Sequence, residues 1–189
     1  TAELKCKSDV CVTSSNAVKI VKALPNKNIF FIPDHNLGSF VAEQAPEKNI
    51  ILNDGCCPSH AKITSSQVFE EREKHPEAEV LTHPECDASV IELSDYIGST
   101  ADIIAYAKNS DVSEFVICTE DGVNYKLITD NPDKRFYYPN PHPCCADMKL
   151  NTLAAVLSVL EKEDKEVTVD EDVRRRALIP LDRMLELAK

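Results

Sequence analysis

Residues 15–57 read SNAVKIVKALPNKNIFFIPDHNLGSFVAEQAPEKNIILNDGCC, and residues 99–145 read STADIIAYAKNSDVSEFVICTEDGVNYKLITDNPDKRFYYPNPHPCC. The two stretches align at an offset of 84 to 88, with Ala17 facing Ala101, Phe30 facing Phe115, Gly38 facing Gly122, Pro46 facing Pro132 and Cys57 facing Cys145. Each copy opens on small polar residues and runs through a helical pattern, an apolar strand, an acidic residue, a second helix, a proline and a second apolar strand to a Cys-Cys pair. A repeat of this length marks a duplicated structural unit. Strands that alternate with helices build a parallel sheet. Ile29–Ile32 and Phe115–Ile117 are continuous apolar runs, the pattern of strands covered by helices on both faces. The expected fold class is therefore α/β, with repeated three-layer α/β/α domains around short parallel sheets.

Outward from the repeat, Val10–Thr13 reads as a strand, followed by a helix from about Ser15 to Leu24, a helix around Leu37–Ala45, and strands at Ile50–Leu52 and Ala78–Leu81. The domain reading is residues 1–75, residues 76–148, and a C-terminal helical segment 149–189 that leaves the repeat. In that segment Leu150, Leu153, Ala154, Leu157 and Leu160 fall on one helical face, Val167–Val169 reads as a short strand, and Val173–Leu187 as a final amphipathic helix. Arg174–Arg176 reads as a solvated, salt-bridged helix face.

Composition narrows the function. With 21 Lys and Arg against 32 Asp and Glu in 189 residues, the formal charge is −11, which argues against a non-specific nucleic-acid binder. A hydrophobic fraction of 43% with only four glycines argues against disorder. No apolar stretch approaches the ~20 residues needed to span a bilayer, and no signal segment opens the chain, so a cytoplasmic location is expected. Eight cysteines, at positions 6, 11, 56, 57, 86, 118, 144 and 145, then suggest metal or redox chemistry before disulfides.

Cys57 and Cys145 each follow an apolar strand, and ligands of open α/β sheets bind at the carboxyl ends of strands. If the copies are pseudo-symmetric, the two cysteines converge and could hold iron or zinc; they could also pack as small hydrophobes. His83-Pro84-Glu85-Cys86 follows another strand and offers an imidazole and a carboxylate as an acid–base pair, although a strand-capping turn at Pro84 explains the same residues. Thr13-Ser14-Ser15-Asn16 and Gly98-Ser99-Thr100 precede helices, as N-caps do; two such helix starts facing one centre could also bind carboxylate or phosphate.

Taken together, Thr13-Ser14-Ser15-Asn16-Ala17, Pro33-Asp34-His35-Asn36-Leu37-Gly38, Cys57-Pro58-Ser59-His60, His83-Pro84-Glu85-Cys86, Gly98-Ser99-Thr100 and Cys145-Ala146-Asp147-Met148-Lys149 resemble the quinolinate synthase family in order and spacing over the whole chain. The resemblance implies three pseudo-symmetric α/β domains, of which the repeat is two, and a 4Fe-4S cluster held by one cysteine from each. It assigns Cys57 and Cys145 as two of these ligands, with Cys56 and Cys144 as neighbours; the family usually has proline after its last cysteine, where this chain has Ala146. It also implies a transferase that condenses iminoaspartate with dihydroxyacetone phosphate to quinolinate in NAD biosynthesis, with an aspartate oxidase as supplier of iminoaspartate. One iron without a protein ligand would act as a Lewis acid. By similarity Ser14, His83, Glu85, Ser99 and Thr100 bind substrate, and His83 and Glu85 are the proton carriers.

Against the family pattern, the first domain and the first cysteine ligand are absent before Thr1. The chain is therefore expected to be a fragment without activity of its own, exposing Leu153, Leu157 and Leu160 and prone to self-association. The alternative from the residues alone is a non-catalytic zinc protein, in which Cys57 and His60 join His83 and Cys86 in a closed four-ligand structural site.

Overall fold

The computed structural model describes residues 1–163 and 165–189. In chain order the helices are α1 (Ala2–Lys5), α2 (Ala17–Ala23), α3 (His35–Gln44), α4 (Ser65–Lys74), α5 (Ala88–Ile91), α6 (Thr100–Asn109), α7 (Asn124–Asp130), α8 (Leu153–Lys162) and α9 (Glu171–Leu187). The strands are β1 (Asn28–Phe31), β2 (Asn49–Leu52), β3 (Glu79–Thr82), β4 (Tyr96–Ile97), β5 (Glu114–Cys118) and β6 (Arg135–Tyr137). They fall into two compact units, residues 24–144 and residues 1–23 with 145–189.

All six strands lie in the first unit, in a two-stranded sheet β1-β2 and a four-stranded sheet of order β4-β3-β5-β6, every pair parallel. The larger sheet shows why its strands read as unbroken apolar runs. Successive side chains point to opposite faces, and both faces are covered. Val80, Val116 and Cys118 pack with Ile63, Val68 and Val90 on one side, while Leu81, Phe115 and Ile117 pack with Ile103, Ala107 and Leu127 on the other.

The duplication is visible in the register. Asn28 stands opposite Asn49, and Glu114 opposite Arg135, so that in both copies the partner lies 21 residues on. The turn after the first strand is also repeated. The Asp34 carboxylate accepts the Leu37 N–H at 2.7 Å and the Glu120 carboxylate accepts the Gly122 N–H at 2.7 Å. The next residue's N–H then donates to the loop before the Cys-Cys pair, His35 to the Gly55 carbonyl and Asp121 to the Pro143 carbonyl. Helices α4 and α6 start in capping boxes, Thr64 with Gln67 and Ser99 with Asp102, each cap contributing ~1 kcal/mol.

The second unit gathers the chain's two ends. The Cys6 thiol donates to the Val173 carbonyl, and the Cys11 N–H to the Pro180 carbonyl of α9. Val10–Thr13 is therefore not a strand: no ladder partner stands beside it among the described residues, and the Cys11 N–H is satisfied by a helix instead. Val167–Val169 is likewise not a strand: no ladder partner stands beside it among the described residues, and Val167 is 87% exposed. Helix α8 does form, and Leu153, Leu157 and Leu160 on it are 90%, 56% and 73% exposed. Arg174, Arg175 and Arg176 pair with Glu171 and Asp172 within their own helix. No helix among the described residues is long and apolar enough to cross a membrane.

Candidate active site

In the unit of residues 24–144, the loops that follow β2, β3 and β5 bring Cys57, His60, His83, Glu85 and Thr119 together at the carboxyl ends of parallel strands, where such sheets bind ligands. Two hydrogen bonds set the approach. The His83 N–H donates to the Cys118 carbonyl at 3.1 Å, locking the turn after β3 against the end of β5. The Asn36 side-chain amide donates to the Glu85 carbonyl at 3.0 Å, holding the same turn against the start of α3. Asp34 bridges from the helix start to the Cys57 loop, accepting the Cys57 N–H at 2.7 Å on its second oxygen.

His60 is the hub. Its Nδ1 meets Glu85 Oε2 at 3.0 Å, its Nε2 meets Thr119 Oγ1 at 3.0 Å, and its ring stacks on His83 with centroids 4.4 Å apart and planes 8° from parallel. The His83 Nδ1 in turn accepts the Glu85 N–H at 3.2 Å. A neutral imidazole that accepts on Nδ1 carries its proton on Nε2, so His83 presents an Nε2–H.

Electrostatics follow from this packing. Burial, with the neighbouring His60, pushes His83 down to about 4, so the ring is neutral at pH 7. The hydrogen bond from His60 holds the Glu85 carboxyl below its usual value against the cost of burial. Burial raises Asp34 despite its two backbone donors. It also raises the Cys57 thiol, against the pull of the His60 and Ser59 N–H groups on the sulfur. A half-buried thiol beside backbone donors gains from a cation that converts it to thiolate, and the donor chemistry of Cys57 therefore suits a thiophilic metal, the iron of an iron–sulfur cluster or zinc alike.

Of the residues singled out in the sequence, His83 and Glu85 share this centre with Cys57, while Ser14 and Cys145 lie in the other structural unit. Ser99 is buried, and its hydroxyl bonds Asp102 Oδ2 at 2.6 Å in the cap of α6; Thr100 is exposed. The four-ligand zinc set is not assembled. His60 spends both ring nitrogens on Glu85 and Thr119, His83 lies face-on to it, and the Cys86 thiol donates to the Cys118 carbonyl. Parallel stacked imidazoles direct their lone pairs in separate planes, away from a shared ion. A metal-capable set that does converge at this centre is Cys57, His60 and Glu85, with ligand atoms within 4.8 Å of one another; Glu120, Asp121 and Cys144 form another in the second copy. His60 as the hub and Thr119 as its second partner were not read from sequence; the C-x-x-H spacing pointed to the first, and nothing local pointed to the second.

A family model described as quinolinate synthetase A protein matches residues 1–186. Among curated relatives, the quinolinate synthase of Caldicellulosiruptor saccharolyticus is 50% identical over 99% of this chain and 62% of its own length. Those of Clostridioides difficile and Fusobacterium nucleatum are 44% and 45% identical over the full chain and 62% of theirs. The chain thus spans about 62% of the length of the relatives it matches. With that extent and identity, the chain belongs to the quinolinate synthetase A family.

Proposed function

We propose that this chain carries the proton-handling part of a quinolinate synthase site, which condenses iminoaspartate with dihydroxyacetone phosphate and releases phosphate and water. The observation that supports this is the His60–Glu85–His83 cluster beside Cys57 at the strand ends. Cys57 and Cys145 are the residues that would hold a 4Fe-4S cluster. When bound, such a cluster supplies a Lewis acid to a substrate oxygen or nitrogen.

The chain's own residues do the rest. Glu85, kept ionised by the His60 donor, accepts a proton from the carbon that becomes nucleophilic, the role of a positioned general base. His83, neutral and carrying its proton on Nε2, donates a hydrogen bond to a carbonyl or departing oxygen without adding a charge to the site. The loops after β2 and β3 are tied to each other through His60 and Glu85 and to α3 through Asn36, which holds the reacting groups in place before substrate arrives. Ser14, Ser99 and Thr100 are proposed to contact the anionic groups of the substrates, through hydroxyls and helix starts. Supply of iminoaspartate by an aspartate oxidase, and a cytoplasmic setting, complete the reading.

The test is anaerobic reconstitution with iron and sulfide of this chain joined to the first domain that the family resemblance implies, followed by metal and sulfide analysis and chromatographic detection of quinolinate. Cluster content that falls in both Cys57→Ser and Cys145→Ser, together with quinolinate formation lost in Glu85→Gln while the cluster is retained, is the expected result. Stoichiometric zinc lost with Cys57 and indifferent to Cys145 overturns it.

A further inference from the structure

Thr119 is 2% exposed and its hydroxyl sits 3.0 Å from the one ring nitrogen of His60 that Glu85 does not occupy. The partner on the other side decides the direction of that bond. An ionised carboxylate only accepts, so His60 Nδ1 donates to Glu85, and in the neutral ring Nε2 is left as an acceptor. The Thr119 hydroxyl must then donate to it. We propose that Thr119 is a positioning residue for the reaction: its hydroxyl fixes the ring orientation and Nδ1–H tautomer of His60, and through His60 holds Glu85. This rests on the reading of Glu85 as the base.

The internal repeat separates this role from an architectural one. Both copies place an acidic cap at the corresponding strand-to-helix turn, Asp34 accepting the Leu37 N–H ahead of an α-helix and Glu120 accepting the Gly122 N–H ahead of a 3-10 helix. The residue before the acid is Thr119 in one copy and Pro33 in the other. A proline has no side-chain polar atom, so an acid-capped turn forms in this chain without a hydroxyl at this position. The hydroxyl appears only in the copy where a buried imidazole meets it.

The test uses the whole chain labelled with 15N-histidine, in Thr119→Val, Thr119→Ser and unaltered forms, with far-UV circular dichroism to monitor folding. In the unaltered protein His60 should show a protonated Nδ1 and an unprotonated, hydrogen-bonded Nε2. Thr119→Val should move the Nε2 resonance toward that of an unbonded pyridine-type nitrogen, and Thr119→Ser should restore it. In the cluster-loaded enzyme, with this chain joined to the first domain that the family resemblance implies, kcat should fall about tenfold in Thr119→Val, the loss expected for one buried hydrogen bond. KM should change less than twofold, and Thr119→Ser should recover most of the rate. A protonated Nε2 on neutral His60 in the unaltered protein overturns the proposal without any variant. So does a Thr119→Val spectrum identical to wild type. Absence of quinolinate formation in the unaltered loaded enzyme would instead count against the reaction assigned above and leave the spectroscopic result to stand by itself.

Discussion

Acid should destabilise this protein through His83, by an amount the structure sets. The ring is 5% exposed and accepts the Glu85 N–H on Nδ1, so protonation costs both desolvation and a hydrogen bond. Its pKa falls from 6.5 to about 4 on folding. A group that is harder to protonate when folded leaves the unfolded chain holding more protons between those values. Stability is therefore fully present above about pH 6.5, erodes as pH falls toward 4, and changes no further below. Integrated from pH 7.5 to 4.5, the loss is ~2.5 kcal/mol, a large part of the 5–15 kcal/mol typical of a domain. Urea titrations of metal-free protein at both pH values, followed by far-UV circular dichroism, measure it. His83→Gln serves as the reference, because it keeps a polar side chain but cannot titrate. The wild type should lose ~2.5 kcal/mol more than this variant over the interval. Equal losses in the two proteins would show that His83 does not titrate differently on folding, and would remove the argument for a neutral ring in the site.

Other outcomes follow from the same geometry. A methyl group at Gly55 would meet the Pro33 carbonyl oxygen and approach the Asn53 amide nitrogen to 2.9 Å, so Gly55→Ala should cost ~1–3 kcal/mol and lower cluster loading by shifting the loop to Cys57; unchanged urea midpoints would contradict this. Leu127→Ala, at a fully buried position, should cost ~2–5 kcal/mol in the same assay. The apolar face of α8 should drive self-association, visible in sedimentation velocity and reduced by Leu153→Gln with Leu160→Gln; a monodisperse monomer at high concentration would argue otherwise.

The sheet unit was legible because its strands and helices are specified locally. Phe115, Val116 and Ile117 face both layers of the core, and such a run admits few other readings. The segments Val10–Thr13 and Val167–Val169 were misread for the converse reason: β-branched residues favour strands, but a strand exists only where a neighbour supplies the ladder, and periodicity carries no information about neighbours. The site divides along the same line. His83 and Glu85 sit two apart in one turn, so their partnership can be read along the chain. His60 and Thr119 meet across 59 positions, and Thr119 emerges as a candidate only when the repeat sets it against Pro33. The four donors of the zinc alternative are not gathered on one point here, because spacing supplies possible donors but not their orientation, which stacking and hydrogen bonding decide.

The duplicated register has a consequence for handling the protein. In the second copy β5 is flanked on both sides, by β3 and β6, whereas β1, its counterpart, is paired among the described residues only with β2. Its second edge presents a short row of backbone donors and acceptors, next to Phe30, which is 63% exposed, and Ile51 on the neighbouring strand, at 52%. Edges of this kind recruit strands from other chains. Asn28–Phe31 is thus one edge, with those of β2, β4 and β6, where intermolecular cross-strand growth could nucleate on storage or heating. A single lysine at Phe30, facing solvent, is the change that would blunt it with least effect on the buried face.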